Sequence, residues 1–201
     1  MRRRSFFKAA TLGPLLLKAQ TLFAQSFDLI IRGGRVIDPS LNLDTIADVG
    51  IANGRIESID RELNASATDE INATNKIVVP GLLDIHAHYA QDDRGAHICL
   101  SDGVTGWVDA GSAGADNIEE MVAVARSAPQ PARILLNIGR GGVIPEGDTA
   151  DISMANVEVA KAAIANNLDY VVGVKARLTS GVTANDIVVI RRAQEVASYF
   201  N

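Results

Sequence analysis

Two histidines stand one residue apart at the close of a short apolar run, in GLLDIHAHY, residues 81–89. In an extended strand alternate side chains share a face, so His86 and His88 project together while Leu83, Ile85 and Ala87 project the other way. Two neutral imidazoles side by side suit a divalent cation, zinc above all. The bland alternative is a pair of polar residues that closes a strand and bonds to water, because a motif this short recurs by chance. Asp84 shares the parity of the histidines one layer deeper, where a carboxylate could accept from metal-bound imidazoles. Lys175 ends a second apolar run, YVVGVKAR, on the same face as Val171 and Gly173 by alternation. A lysine at a strand end ordinarily snorkels to solvent. Turned inward, its amine loses its proton more readily and becomes nucleophilic. His97 falls in a helix or loop and is expected to face solvent. Asp109 ends a strand and could cap the turn that follows. Arg177 could meet an anionic group and stays open.

These residues need elements to hold them. From Phe27 to Val79 the runs FDLIIRGGRVID, ADVGIANGRIESID and EINATNKIVV alternate with turn material, which predicts a small β domain over 27–79. Asn53-Gly54 between two alternating runs signals a tight hairpin, since such a turn needs positive φ at both positions. Pro80-Gly81 marks a boundary. Beyond it, over 80–201, short apolar strands alternate with helical stretches: LLDIHA, a segment around residues 90–101, VTGWVDAG, NIEEMVAVARSA, ARILLNIG, MANVEVAKAAIANN, YVVGVKAR and ANDIVVIRRAQEVASYF. In the third helical stretch Met154, Val157, Ala160, Ala163 and Ile164 recur at helical spacing. About four βα units imply parallel strands with crossover helices. Eight would close a barrel of about 250 residues, so the expected fold class is α/β, the N-terminal half of a (β/α)8 TIM barrel preceded by a small β-sandwich-type domain. An open doubly wound sheet would announce a glycine-rich phosphate loop after an early strand, and DIHAHY stands there instead. The histidines and Lys175 then lie at C-terminal strand ends, where barrels place their active sites.

Composition narrows the classes. The chain of 201 residues is 47% hydrophobic with a net charge of −5. Its first 24 residues contain five basic residues and no acid, so the remainder carries about −10. Such a body repels nucleic acid and anionic lipid. Cys99 is the only cysteine. It permits no internal disulfide and no cysteine-based zinc cluster within one chain.

The opening segment has a basic head, an apolar middle broken by Pro14 and Lys18, and small residues near Ala24. This is the layout of a secretory signal peptide, expected over 1–24, and it is too short for a membrane span of roughly 20 apolar residues. Arg3-Arg4-Ser5-Phe6-Phe7-Lys8 resembles a twin-arginine export signal, which implies a periplasmic protein with no stable membrane association after cleavage.

The sequence VPGLLDIHAHY, preceded by DLIIRGGRVIDP and DVGIANGRIESI, resembles the amidohydrolase superfamily of metal-dependent hydrolases. GVTGWVDAGSAGADN, LLNIGRGG and VVGVKARLTSG look most like its deacetylase-type branch, with dihydroorotase and hydantoinase as relatives. The resemblance implies that His86 and His88 bind a catalytic metal. It implies that Lys175 takes up CO2 to form a carbamate bridging two divalent ions, with zinc expected. Asp84 remains a supporting acceptor, and the substrate is a small acyl amide or ester.

The resemblance also calls for two further histidine ligands and a proton-shuttling aspartate from later strands. After His97 the sequence contains no histidine. The expectation is therefore an N-terminal portion, inactive as these 201 residues, with no catalytic residue of its own. Its exposed strand edges would favour a homo-oligomer or a C-terminal half chain as partner. A cyclic amidase of the dihydroorotase or hydantoinase type, or a noncatalytic exported remnant or metal-binding module, stands as the alternative.

Overall fold

A computed structural model of the chain describes residues 26–91, 94–181, 183 and 185–200. The segment 1–24, expected to be a signal peptide, lies outside the described residues. Among the described residues, no helix is long and apolar enough to cross a membrane. The chain divides into two units, with the boundary between Val79 and Pro80.

The first unit is a mixed five-stranded sheet. β1 (Ser26–Asp38) pairs antiparallel with β2 (Leu43–Ala52), which pairs antiparallel with β3 (Arg55–Asp60). On its other side β1 pairs parallel with β4 (Ser66–Asn72) and then with β5 (Ile77–Val78). One strand serves two partners on that edge because β1 carries a register shift between Ile31 and Gly34, with Gly33 at a φ of 67° that side chains rarely adopt. The hairpin from β2 to β3 turns through Asn53 and Gly54, at φ of 52° and 70°, the conformation that this residue pair favours. Val36, Ala47 and Val49 form a small core under Ile31, Leu43, Ile51, Ile59 and Val78.

A partly buried charge pair also anchors this unit, beside buried Phe27 and Ile30. Buried Asp48 accepts from the Arg32 guanidinium at 2.9 Å, from the Gly33 N–H at 2.8 Å and from the Leu63 N–H at 3.1 Å. Arg32 also donates to Glu70 and to the carbonyls of Leu63 and Ala65. Burial pushes the Asp48 carboxyl upward, yet the bonds from Leu63, Arg32 and Gly33 together hold it below its ordinary value.

The second unit is a four-stranded parallel sheet in the order β6 (Leu82–Ala87), β7 (Val104–Asp109), β8 (Ala132–Asn137), β9 (Val171–Lys175). Helices α1 (Gly95–Ser101), α2 (Ile118–Ser127) and α3 (Val157–Ala165) connect successive strands, and α4 (Asp186–Ser198) follows β9. Sequential parallel order with a helix in each crossover is the pattern of consecutive units of a βα barrel. Trp107, Ile134, Leu136, Ile118, Val122, Ile164, Val189 and Val196 make one core between sheet and helices.

The third helical stretch starts later than its apolar spacing suggests: Met154 belongs to a short 3-10 turn, and α3 begins at Val157. Asn156 sets that start, its side-chain oxygen accepting from the Val159 N–H at 3.1 Å in place of the missing helical partner. Leu83 and Ile85, which alternation places on the face opposite the histidines, are 61% and 70% exposed. β6 is an edge strand with one neighbour, so only Ala87 of that apolar set reaches the core.

Candidate metal centre

Parallel strands bring the singled-out residues to one end of the sheet. His86 lies on β6, His88 follows that strand directly, and Lys175 ends β9. The two imidazole rings have centroids 5.8 Å apart and meet edge to face at 63°. Lys175 Nζ lies 3.4 Å from His86 Nε2. The direction of this hydrogen bond depends on the His86 tautomer. His86 and His88 are exposed and Lys175 is half-buried.

A register shift brings Lys175 into place. Ile134 of β8 pairs with Val171 of β9, but the next residue, Leu135, pairs with Gly173. The extra residue breaks simple alternation: Val171 sits in the core that the helices cover, whereas Gly173 and Lys175 pair with Leu135 and Asn137. The expectation that Val171 shares the inward face with Lys175 is therefore replaced by a bulge. Gly111, in the turn after β7, makes room for the lysine stem. A Cβ there would meet Lys175 Cβ at 2.6 Å, and its φ of 82° already favours glycine.

Asp84 does not reach either imidazole ring. A second irregularity, between Asp84 and Ala87, interrupts the pairing of β6 with β7. The Asp84 carboxylate turns instead to the His86 backbone N–H at 3.0 Å and accepts from the Tyr89 hydroxyl at 3.2 Å. Burial, and then the bond to Asp84, push the Tyr89 phenol up, so it remains a donor.

A different carboxylate stands behind His88. Its Nδ1 lies 2.7 Å from Ser112 Oγ, and that hydroxyl is 2.7 Å from Asp109 Oδ2. Asp109 is fully buried and also accepts from the Ser112 N–H at 2.7 Å, so it does cap the turn after β7. Sequence reasoning passed over Ser112 altogether. The available signal was the run DAGSAG, where a strand-ending acid precedes a glycine turn and a hydroxyl.

Arg177 is answered by its own protein. It forks onto Asp148 through Nε at 3.1 Å and Nη2 at 2.5 Å. Asp148 is buried and accepts from Asn137 Nδ2 at 2.9 Å, and the same amide donates to the Gly111 carbonyl at 3.1 Å. This buried bracket ties the loop after β8 to the turn that shelters Lys175. His97 is exposed on α1, as a solvent-facing residue would be.

The donor set suits a borderline divalent cation: two imidazoles and an amine, with no thiolate. Among the described residues, no group of three or more His, Cys, Asp and Glu is arranged to hold a metal ion. Lys175 stands beside His86 as the third group of the candidate site.

The structure thus carries four consecutive parallel βα units with a His-x-His at the end of the first strand and a lysine at the end of the fourth. No protein-family model matches the chain. It is 28% identical over 177 residues to a deacetylase from Enterococcus faecalis, covering 85% of this chain and 47% of that protein. It is 28% identical over 181 residues to a dihydroorotase from Solibacter usitatus, covering 86% of this chain and 40% of that one.

Among solved structures, an adenine deaminase superposes with a TM-score of 0.71 at 27% identity, over 86% of this chain and 48% of its own. A dihydroorotase gives 0.67 at 21% identity, over 85% and 48%. An N-acyl-D-glutamate deacylase from Bordetella bronchiseptica, solved with zinc and a phosphonate inhibitor, gives 0.61 at 18%, over 87% and 44%. The last two share the fold. The chain thus resembles the amidohydrolase superfamily, its deacetylases and dihydroorotases included, and it spans less than half the length of these relatives.

Proposed function

We propose that this chain carries the metal-binding arms of a divalent-metal-dependent hydrolase that cleaves an acyl amide or ester, as a deacetylase does. The observation that carries the reading is the convergence of His86, His88 and Lys175 at one end of the parallel sheet, with Lys175 Nζ at 3.4 Å from His86 Nε2. A bound divalent ion, with zinc the expected metal and two ions the expected number, would supply Lewis acidity toward an acyl oxygen and a more acidic water. The chain's own part is to present ring nitrogens from His86 and His88 and the Lys175 amine. That amine nitrogen adds to the carbon of CO2 and releases a proton, leaving a carbamate whose oxygens are hard ligands. Arg177 is paired with Asp148.

The proposal includes dependence on further residues. The resemblance requires two more histidines and an aspartate, and no histidine follows His97. These 201 residues alone are proposed to hold metal without turnover. Export by the twin-arginine route to the periplasm is part of the same reading and rests on the motif at Arg3 and Arg4.

The test compares the zinc-loaded chain by itself with the chain co-refolded with the remaining half of the enterococcal deacetylase. Acetate release from N-acetyl amino acids or acetyl esters is expected only in the second case. Acetate release by the chain alone contradicts its dependence on other residues. Ring opening of dihydroorotate or hydantoin in preference to acetate release moves the assignment to a cyclic amidase, the reading that the dihydroorotase relative favours. No hydrolysis under any of these conditions overturns the hydrolase assignment.

A further inference from the structure

The buried Asp109 has no place in the reading above, yet Ser112 links it to His88, which does. Its two oxygens are both committed to Ser112, one to the N–H and one to the hydroxyl, each at 2.7 Å. A carboxylate only accepts, so the single proton of the Ser112 hydroxyl is drawn onto Asp109. The hydroxyl oxygen then has lone pairs left for His88, whose Nδ1 is 2.7 Å away and must be the donor. The neutral imidazole has one N–H, and it is spent here. His88 Nε2 is left with an unprotonated lone pair.

We infer that Asp109 and Ser112 are positioning residues that fix the tautomer and ring orientation of His88 so that Nε2 is free for a cation. The inference deepens the proposed metal site and rests on it for its purpose, while the tautomer itself is a property of the metal-free chain. Asp109 suits the task because it is fully buried at the end of β7, where its partner is held by the same turn that shelters Lys175. A carboxylate acting on an imidazole through an intervening hydroxyl restricts ring rotation and keeps the acceptor nitrogen turned away from the carboxylate.

Substitution of Asp109 by Asn makes a sharp distinction. The Asn oxygen keeps the bond from the Ser112 N–H, but its amide now donates to Ser112 Oγ. The hydroxyl proton, no longer drawn onto a carboxylate, is then free to turn toward His88 Nδ1, so the Nδ1–H tautomer loses its enforcement. An isosteric change thereby releases the tautomer without opening a cavity. Ser112→Ala removes the link and leaves both tautomers populated, whereas Ser112→Thr retains the hydroxyl.

The experiment records long-range proton–nitrogen correlation spectra of the metal-free full chain at about pH 8, where imidazole is neutral, and measures zinc affinity by chelator competition. The wild type is expected to show His88 protonated at Nδ1, and D109N and S112A each a population protonated at Nε2. Zinc affinity should fall about 10–100-fold in D109N and S112A and return to within a few-fold of wild type in S112T. A wild-type His88 protonated at Nε2, or a D109N chain with unchanged tautomer and affinity, overturns the inference. If D109N does not fold, the contrast between S112A and S112T decides it by the same two readouts. A wild type with the Nδ1–H tautomer but no zinc binding upholds the relay and sinks the metal site.

Discussion

Lys175 Nζ and His86 Nε2 stand 3.4 Å apart although 89 residues separate them in the chain. The contact exists because parallel strands deliver both residues to the same end of one sheet, and because Gly111 leaves space for the lysine stem. Gly111→Ala should therefore do two things. It places a methyl 2.6 Å from Lys175 Cβ and forces a side chain to a φ of 82°. The strain is worth about 1–3 kcal/mol, which lowers Tm by about 2–4 °C per kcal/mol for a chain of this size. It should also displace Lys175 and weaken zinc binding. Gly103→Ala serves as the control, since Gly103 has a φ of 86° but open space around it. That variant should lose stability and keep its zinc affinity. Equal zinc affinities in the two variants would remove Gly111 from the positioning of Lys175.

Acid should loosen the first unit through Asp48. Its folded carboxyl is held below the ordinary value of 3.8, despite burial, by Leu63, Arg32 and Gly33. A depressed folded value means that the unfolded state binds the proton more readily. The stabilisation is thus complete above the unfolded value and drains away as pH falls from about 4 through the folded value. Wild type should be more stable than Asp48→Asn at pH 6, with the gap closing below about pH 4. Thermal unfolding of both proteins across that range measures it, and a gap independent of pH would show that Asp48 acts by shape alone.

The core of the second unit should behave as close-packed. Leu136 on β8 is fully buried among residues of sheet and helices. Leu136→Ala should cost about 2–5 kcal/mol, read from the denaturant midpoint. A change well under 1 kcal/mol would mean that sheet and helices are loosely joined.

Both outer strands of the parallel sheet should make the chain self-associate. β6 and β9 are edges, with Ile85 70% and Val172 56% exposed. Open apolar edges recruit further strands unless charge protects them. The mass in sedimentation equilibrium should rise with concentration, and the double variant Ile85→Lys, Val172→Lys should hold it nearer the monomer. A concentration-independent monomer in the wild type would contradict this.

Local patterns carried much of this structure. The Asn53-Gly54 hairpin follows from two residues that accept positive φ, and the order of parallel strands follows from apolar runs alternating with helical spacing. His86 and His88 were legible because alternation within one strand is short-range. What escaped depended on register between strands. The bulge between Asp84 and Ala87 turned Asp84 away from the imidazoles, and the shift at Leu135 and Gly173 moved Val171 into the helix-side core. Neither shift has a marker in its own strand. Ser112 escaped for a related reason, since its partner His88 is 24 residues away and only pairing of β6 with β7 brings them together. Asp148 likewise finds Arg177 only after a loop folds back over β9.

The most direct measurement is zinc uptake by the full chain. Equilibrium dialysis with zinc would be read by elemental analysis, comparing wild type with His86→Ala, His88→Ala and Lys175→Ala after circular dichroism has shown each to be folded. Retention by wild type, with affinity lowered tenfold or more in every variant, is the expected result. A wild type that holds no more zinc than the variants would mean that these three residues do not form a metal centre.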